Sequence, residues 1–463
     1  MLQEVKDKQM HRRRSYDRLS ARGPAGGYLA AMFVGSFFCA LAAYLESELA
    51  AVLIFVLSWI ILPGCALTDR IVFDGKRLLR SGLFPRASAY LLGRRFWIGL
   101  KDIEQVETAI LPAMKRGGRV YFRYRTSVRG NGLEFSLASG GGGYRRLAQA
   151  LFQALPEEVL DAGSIELRDY LSEPKITRDR AKQSEIPSAD VLGNIFRNSL
   201  KRKGKYAASR PPAASDAKAA GLRRLGNELR FSGSLLQALE SFRRAASISP
   251  EDPWLLFDFA RCIHSFAESE RDVRLERRAA AMMRLAERRA GKDGQLLARL
   301  GEGYFQLGEW QRARSAFRKA ADAVGEQFRS IRGMAEIALR DGKLAHVVHN
   351  FGAAERLAES RGARRWSRGE AEYFSRLNSD DEYLEMELGR VNLLDTVDRW
   401  RGRAFRLCLA GFPFIGLGIY LGDPAVTYAG WILSGGMIVL WVVTLLAHRV
   451  FSPRIAPELL ADD

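Results

Sequence analysis

Between Ala219 and Asp252, small and large apolar residues recur in an order that leaves the backbone little choice. Leu222, Leu225, Gly226 and Leu229 come first, then Gly233, Leu235, Ala238, Phe242 and Ala245, and finally Pro250. The first two groups fall on the faces of two helices, with Gly233 in a tight turn between them. Pro250 ends the second helix, because its ring clashes with the preceding turn and it has no amide hydrogen to donate. Gly226 and Ala238 let the helices approach closely, while Phe242 and Ala245 fill a seam toward the next unit. One such pair cannot bury its own apolar face, so the pattern requires neighbours built the same way.

Those neighbours are present. From Gly294, the residues Leu300, Gly301, Tyr304, Gly308, Trp310, Ala313, Phe317 and Ala320 repeat the offsets. From Phe328, Ile331, Ala335, Ala338, Gly342, Leu344, Phe351 and Ala354 repeat them again, with Val347 replacing the small alanine of the second helix. The pattern resembles the tetratricopeptide repeat (TPR), a helix pair that stacks into a solenoid and binds proteins. Between these copies, Pro253 to Gly291 holds Trp254, Leu256, Phe259, Ala260, Ile263, Ala279, Met283 and Ala286. It is about seven residues too long for the family's period. The excess falls near Glu268 to Arg277 and reads as a lengthened turn or an extended helix inside a real repeat, the alternative being an unrelated helix pair. A helix around Arg364 to Leu377 would cap an array covering 219–377.

The resemblance implies that the first helix of each unit lines a concave partner-binding groove. At matching offsets stand Arg223, Asn227, Arg230 and Phe231, then Trp254, Phe257, Arg261 and His264, then Gln295, Glu302 and Phe305, then Arg329, Arg332, Glu336 and Arg340. Arg223, Asn227 and Arg299 fall where chaperone-binding members clamp a carboxylate. Asp258 and Gln295 depart from that clamp and put recognition of a free C-terminus in doubt. An acidic or amphipathic segment is the broader expectation, since arginine forks pair carboxylates and the aromatics offer anchors. A solvated helix face is the alternative for any one position.

Four apolar runs frame the chain: Tyr28 to Leu45 and Leu49 to Leu67 near one end, Ala404 to Leu421 and Ala425 to Ala447 near the other. Each is close to the length needed to cross ~30 Å of hydrocarbon. Three residues separate the members of each pair, so residues 28–67 and 404–447 read as transmembrane hairpins. A buried soluble hairpin is the alternative for the second, whose span is interrupted by Pro413 and Gly416 and begins near Arg406. A long basic tail, 1–27, precedes the first run, which argues for an anchor rather than a cleaved signal. Arg12, Arg13, Arg14 and Arg18 precede the first hairpin and Arg70, Lys76, Arg77 and Arg80 follow it. Arg399, Arg401 and Arg403 precede the second, and Arg449 and Arg454 follow. Positive charge at the open ends places both termini and the soluble region in the cytoplasm, at an inner membrane. The arginine-, alanine- and glycine-rich composition suggests a bacterial source.

Residues 68–173 change period. Short β-like runs appear at Arg70 to Phe73 and Lys76 to Leu83, around the hairpin signal Asp74-Gly75. Others follow at Ala89 to Leu92, Phe96 to Ile98, Ile103 to Glu107, Arg119 to Thr126 and Gly132 to Leu137, closed by a helix from Tyr144 to Leu155. Thr68-Asp69-Arg70, the Leu78 to Leu83 strand and turn, Leu100-Lys101-Asp102-Ile103 and the closing helix resemble the bacterial pleckstrin-homology-like domains. That resemblance implies a small β-rich barrel for protein or lipid contact, where Arg94, Arg95, Lys115 and Arg116 could meet headgroups. Residues 174–218 read as a basic linker with an amphipathic helix from Ser188 to Leu200, 378–403 as a helical connector, and 448–463 as a cytoplasmic tail.

Catalysis finds little support. Gly140 to Gly143 lacks the lysine and hydroxyl of a phosphate loop, and His346 and His349 have no third metal ligand in sequence. No cofactor is expected. The four cysteines show no metal spacing, and the net charge of +18 has no nucleic-acid motif beside it. The sequence thus reads as a multi-domain membrane protein: an α-helical TPR solenoid, a small β-rich PH-like domain and four transmembrane helices. Its expected role is a noncatalytic, membrane-anchored adaptor that recruits protein partners. The alternative is a membrane regulator responsive to lipid headgroups.

Overall fold

The computed structural model describes residues 19–92, 96–116, 119–139, 142–192 and 216–454. Most of the expected amphipathic stretch, the Lys201 to Lys205 charges, Arg94, Arg95 and both extreme tails lie outside these residues. The chain divides into two bodies: Asp69–Glu372 with Pro24 and the described residues before it, and Ala25–Thr68 with the residues from Tyr373 onward.

The first body begins with two antiparallel sheets. Strands β1 (Leu19–Arg22), β2 (Arg70–Phe73), β3 (Arg77–Ser81) and β4 (Trp97–Gly99) form one in sequential order; β5 (Gln105–Arg116), β6 (Arg119–Gly130) and β7 (Leu133–Ala138) form the other. β1 comes from the stretch expected to be tail, and pairs with β2 in the register Leu19 to Phe73 and Arg22 to Arg70. The first apolar hairpin is therefore inserted between two neighbouring strands. The strand expected at Ala89 to Leu92 is instead the end of a helix, α3 (Leu83–Leu92). Pro85 is its third residue, where the amide has no intrahelical partner and proline is tolerated.

Helix α4 (Gly142–Ala154) closes the β module, burying Leu147, Ala148, Leu151 and Phe152 against Phe73, Leu78, Val128 and Leu137. Two further helices follow, α5 (Ala162–Tyr170) and α6 (Pro174–Gln183). The start of the expected linker is thus helical, and its Ala181 packs with Leu225 and Leu229 of the first repeat.

The helical array consists of α7 (Asp216–Phe231), α8 (Leu235–Ile248), α9 (Pro253–Glu270), α10 (Val273–Arg289), α11 (Gly294–Gln306), α12 (Trp310–Val324), α13 (Phe328–Arg340) and α14 (Leu344–Leu357), followed by α15 (Arg361–Ser379). Neighbouring helices share buried seams: Ala238, Phe242 and Ala245 with Leu255 and Cys262, and Ala313, Phe317 and Ala320 with Leu300 and Tyr304. Each fully buried Leu or Phe side chain in these seams contributes about 1.5–3 kcal/mol relative to exposure. The excess of the second unit lies in both helices, since α9 has 18 residues and α10 has 17. Their turn carries Arg271 in the left-handed conformation, φ 54°, where the other three units have Gly233, Gly308 and Gly342.

The second body contains α1 (Gly26–Tyr44), α2 (Glu48–Thr68), α16 (Asp381–Leu421) and α17 (Pro424–Phe451), all long and apolar enough to cross a membrane, with mean hydropathies over an apolar 18-residue stretch of 1.7, 2.5, 1.7 and 2.0. The expected connector and third span form one continuous helix of 41 residues with Pro413 inside it. Small residues let the helices meet: Gly411 and Gly418 of α16 lie against Ser434 and Thr427 of α17, and the Ser434 hydroxyl donates to the Cys408 carbonyl at 3.0 Å. Phe37 of α1 packs on Trp431 with ring centroids 5.2 Å apart. Leu49, Val52, Leu53 and Ile60 of α2 are exposed, and Trp59, also half exposed, donates its indole N–H to Ser36 of α1 at 3.1 Å.

Candidate functional site

The first helices of the repeats, α7, α9, α11 and α13, bring the expected groove residues along one side of the array, and that side is occupied by the chain itself. The segment Pro156 to Leu171, carrying α5, supplies the occupant. Glu166 sits between Arg230 and Arg261, accepting from Arg230 Nη2 at 2.8 Å and pairing with Arg261 Nη1. Arg230 and Glu166 are each only 7% exposed, so both charges are almost wholly withdrawn from water. Glu157 pairs with Arg329 at 2.9 Å and with Arg299 at 3.9 Å. Glu158 accepts from the backbone amides of Glu359 and Ser360 at 3.0 and 2.9 Å, satisfying donors at the start of α15.

Asp161 holds this segment in shape. It caps α5 by accepting from the Ser164 amide at 2.8 Å, and accepts from the Thr108 amide of β5 at 3.2 Å. Its burial raises its pKa, and its bonds to Ser164 and Thr108 work against that shift. Behind it, the hydroxyls of Thr108, Thr126, Ser164 and Tyr144 form a buried chain with spacings of 2.7–2.9 Å.

The junction is apolar as well as ionic. Phe231 stacks on Tyr170 at 6.3 Å, and its carbonyl accepts from the Tyr124 hydroxyl of β6. The Val120 amide donates to the Gly233 carbonyl at 3.0 Å, tying β6 to the first repeat turn. Phe231, Phe328, Ile331 and Ala354 of the array share one core with Val106, Tyr124, Val159 and Leu160 of the β module.

Most of the remaining expected groove residues are engaged within the array. Arg223 Nε and Asn227 Nδ2 donate to Asp258 at 2.6 and 2.9 Å, and Arg223 lies 5.5 Å over the Trp254 ring. Asp258 thus takes up two of the donors expected to face an outside carboxylate. Trp254 donates to Asp293 at 2.8 Å; Phe257 lies under Arg261 at 5.5 Å. Glu302 pairs with Arg329 at 3.4 Å and Arg299 at 3.7 Å, Phe305 meets Trp310 edge-on at 4.9 Å, and Arg340 lies 3.8 Å over Trp310. Arg332 bonds Glu336 at 3.0 Å and covers Trp366. Burial, then the nearby Arg299, pulls Arg261 down to about 10, so it stays charged at neutral pH.

His264 lines a cavity of 260 Å³ with Thr108, Asp161, Arg230, Arg261 and Glu268. Its Nδ1 is buried without a hydrogen-bond partner among the described residues, and burial lowers its pKa. A second cavity, of 800 Å³, opens between β5, the Glu157 turn and α11 to α13, lined by Glu302, Phe305, Arg329, Arg332 and Glu336 among others. Among the described residues, no group of three or more His, Cys, Asp or Glu side chains is placed to hold a metal.

The sequence reading missed Glu157, Glu158, Asp161 and Glu166. A signal for them exists: acidic residues concentrated just after the closing helix of a chain whose net charge is +18. What it lacks is any mark that the partner of those acids is the same chain.

No family model and no curated protein matches this sequence. Among solved structures, it is similar to PilF of Pseudomonas aeruginosa at 17% identity and TM-score 0.32, covering 52% of this chain and 98% of that one. It is also similar to a chain of the APC/C hetero-tetramer Cut9–Hcn1, at 12% identity and TM-score 0.29 over 65% of this chain and 52% of that one. Apo RapI gives 11% identity and TM-score 0.29, covering 68% of this chain and 88% of that one. The stacked helix pairs described above define this chain as a helical-repeat protein on their own geometry.

Proposed function

We propose that the chain is a noncatalytic scaffold, held at the cytoplasmic face of a membrane by its two apolar hairpins, in which a TPR-like array and a PH-like module act as one rigid body for protein partners. The observation that carries this reading is the seating of Glu157 and Glu166 on Arg329, Arg230 and Arg261. The groove's chemistry suits an acidic helical segment, and the chain supplies one from the β module. Four strands, then three strands and a closing helix support the PH-like assignment.

An outside partner for the groove would carry the same acidic chemistry and displace Glu157 to Tyr170, or occupy the open 800 Å³ stretch beside it. The test is a mild-detergent pull-down of the full-length protein beside a Glu157→Lys, Glu158→Lys variant, with folding checked in both. A partner gained by the variant supports a groove in competition with its internal ligand. Equal capture moves the partner to another surface and leaves the scaffold intact. No partner from either form overturns the scaffold reading in favour of the lipid-responsive alternative.

A further inference from the structure

Helix α3 exposes an apolar face. Leu83 is 57% exposed, Phe84 54% and Tyr90 90%, whereas Pro85 between them is buried. At 100° per residue, Leu83, Phe84, Ala87 and Tyr90 project over one broad side of the helix, with the exposed Arg86 at its margin. We propose that this face lies in the headgroup layer of the bilayer crossed by α1 and α2, so that the β module rests on the membrane through α3.

Strand register supplies the argument. Thr68 ends α2 and a single residue, Asp69, leads into β2 at Arg70. Asp69 is itself held to β3 by Arg80 at 2.9 Å, so the chain between span and sheet is one residue long. Arg70 is paired with Ser81, and α3 starts two residues beyond Ser81. Directly opposed residues are about 5 Å apart, which brings Leu83 within about 12 Å of Arg70. A helix with apolar side chains, an aromatic residue and an arginine, that close to the end of a span, matches an interfacial helix in chemistry and reach. The exposed Arg70 and Arg86 add attraction to anionic lipid.

The inference rests on α1 and α2 crossing the membrane, and the experiment separates the two claims. In full-length protein with Cys39, Cys65, Cys262 and Cys408 replaced by alanine, an environment-sensitive fluorophore is placed in turn at Tyr90→Cys, Val52→Cys on α2 and Ala281→Cys on the exposed side of α10. The protein is reconstituted in phosphatidylcholine vesicles with about one third phosphatidylglycerol. The expected result is quenching at 90 by shallow acyl-chain doxyl groups at least about twofold stronger than at 281, with weaker quenching by aqueous iodide. Lipid quenching at 52 but an aqueous response at 90 overturns the inference and leaves the anchor standing. Aqueous responses at both overturn both. Shielding of 90 from both quenchers signals self-association through α3 and also overturns it.

Discussion

Glu166 is the shared carboxylate partner of two arginines that have left water, Arg230 and Arg261, and neither can lose its proton near neutral pH. Glu166→Ala strands both charges, and loss of one partner of a buried pair costs about 3–5 kcal/mol. A denaturant titration should show a loss of that size, and a smaller loss for Glu166→Gln, which can still hydrogen-bond. His264 sets a pH dependence of opposite origin. Burial depresses its pKa in the folded chain, while the unfolded chain protonates it near 6.5. Below that pH the unfolded state binds the extra proton, so stability falls as pH drops from about 6.5 toward the folded value, by up to about 1.4 kcal/mol per unit. The facing groups, Asp161, Glu268, Arg230 and Arg261, remain in place in His264→Gln. That variant should therefore show a flatter urea midpoint between pH 7 and pH 5. An unchanged slope would assign the acid sensitivity to other groups.

At the scale of elements, the α7–α8 turn has two duties. Gly233 adopts φ 80°, as the repeat turn requires, and a Cβ there would collide with the Val120 carbonyl of β6. The equivalent Gly308 has positive φ, 76°, without such an approach. Gly233→Ala should therefore cost clearly more than Gly308→Ala, whose penalty is about 1 kcal/mol from backbone conformation alone. Comparison of the two thermal midpoints checks this, and equal losses would mean that the β6 contact is slack. The repeat helices were legible because period, turn glycine and closing proline are local signals. The end of the helix at 83–92 reads as a strand at Ala89 to Leu92 because a short apolar run does not distinguish the two, and β1 is hidden because its partner, β2, lies beyond the whole apolar hairpin.

Across the whole molecule, the β module and the array share a core, buried ion pairs and a backbone hydrogen bond, so the body spanning Asp69–Glu372 should unfold as one unit. Urea unfolding of the full-length protein in detergent, followed by fluorescence at a label on Gln237→Cys of the array and at one on Glu134→Cys of β7, should give coincident transitions. A β7 signal lost well before the array signal would show that the module detaches. For the same reason a groove variant such as Arg261→Glu perturbs folding before it perturbs any partner, because it sets two carboxylates against each other in a buried site.

The sequence by itself determined the helix pairs, their stacking, the four apolar runs and most of the strands, since each follows from hydrophobic period and turn chemistry within a few dozen residues. It also marked the side of the array that carries the arginines. Only the tertiary structure decided what those arginines face. Glu157 is 172 residues from Arg329 and Glu166 is 64 from Arg230, and no local pattern encodes a pairing across such distances. The arginines lose hydration in the groove and need anions at fixed positions, and the folded β module supplies them.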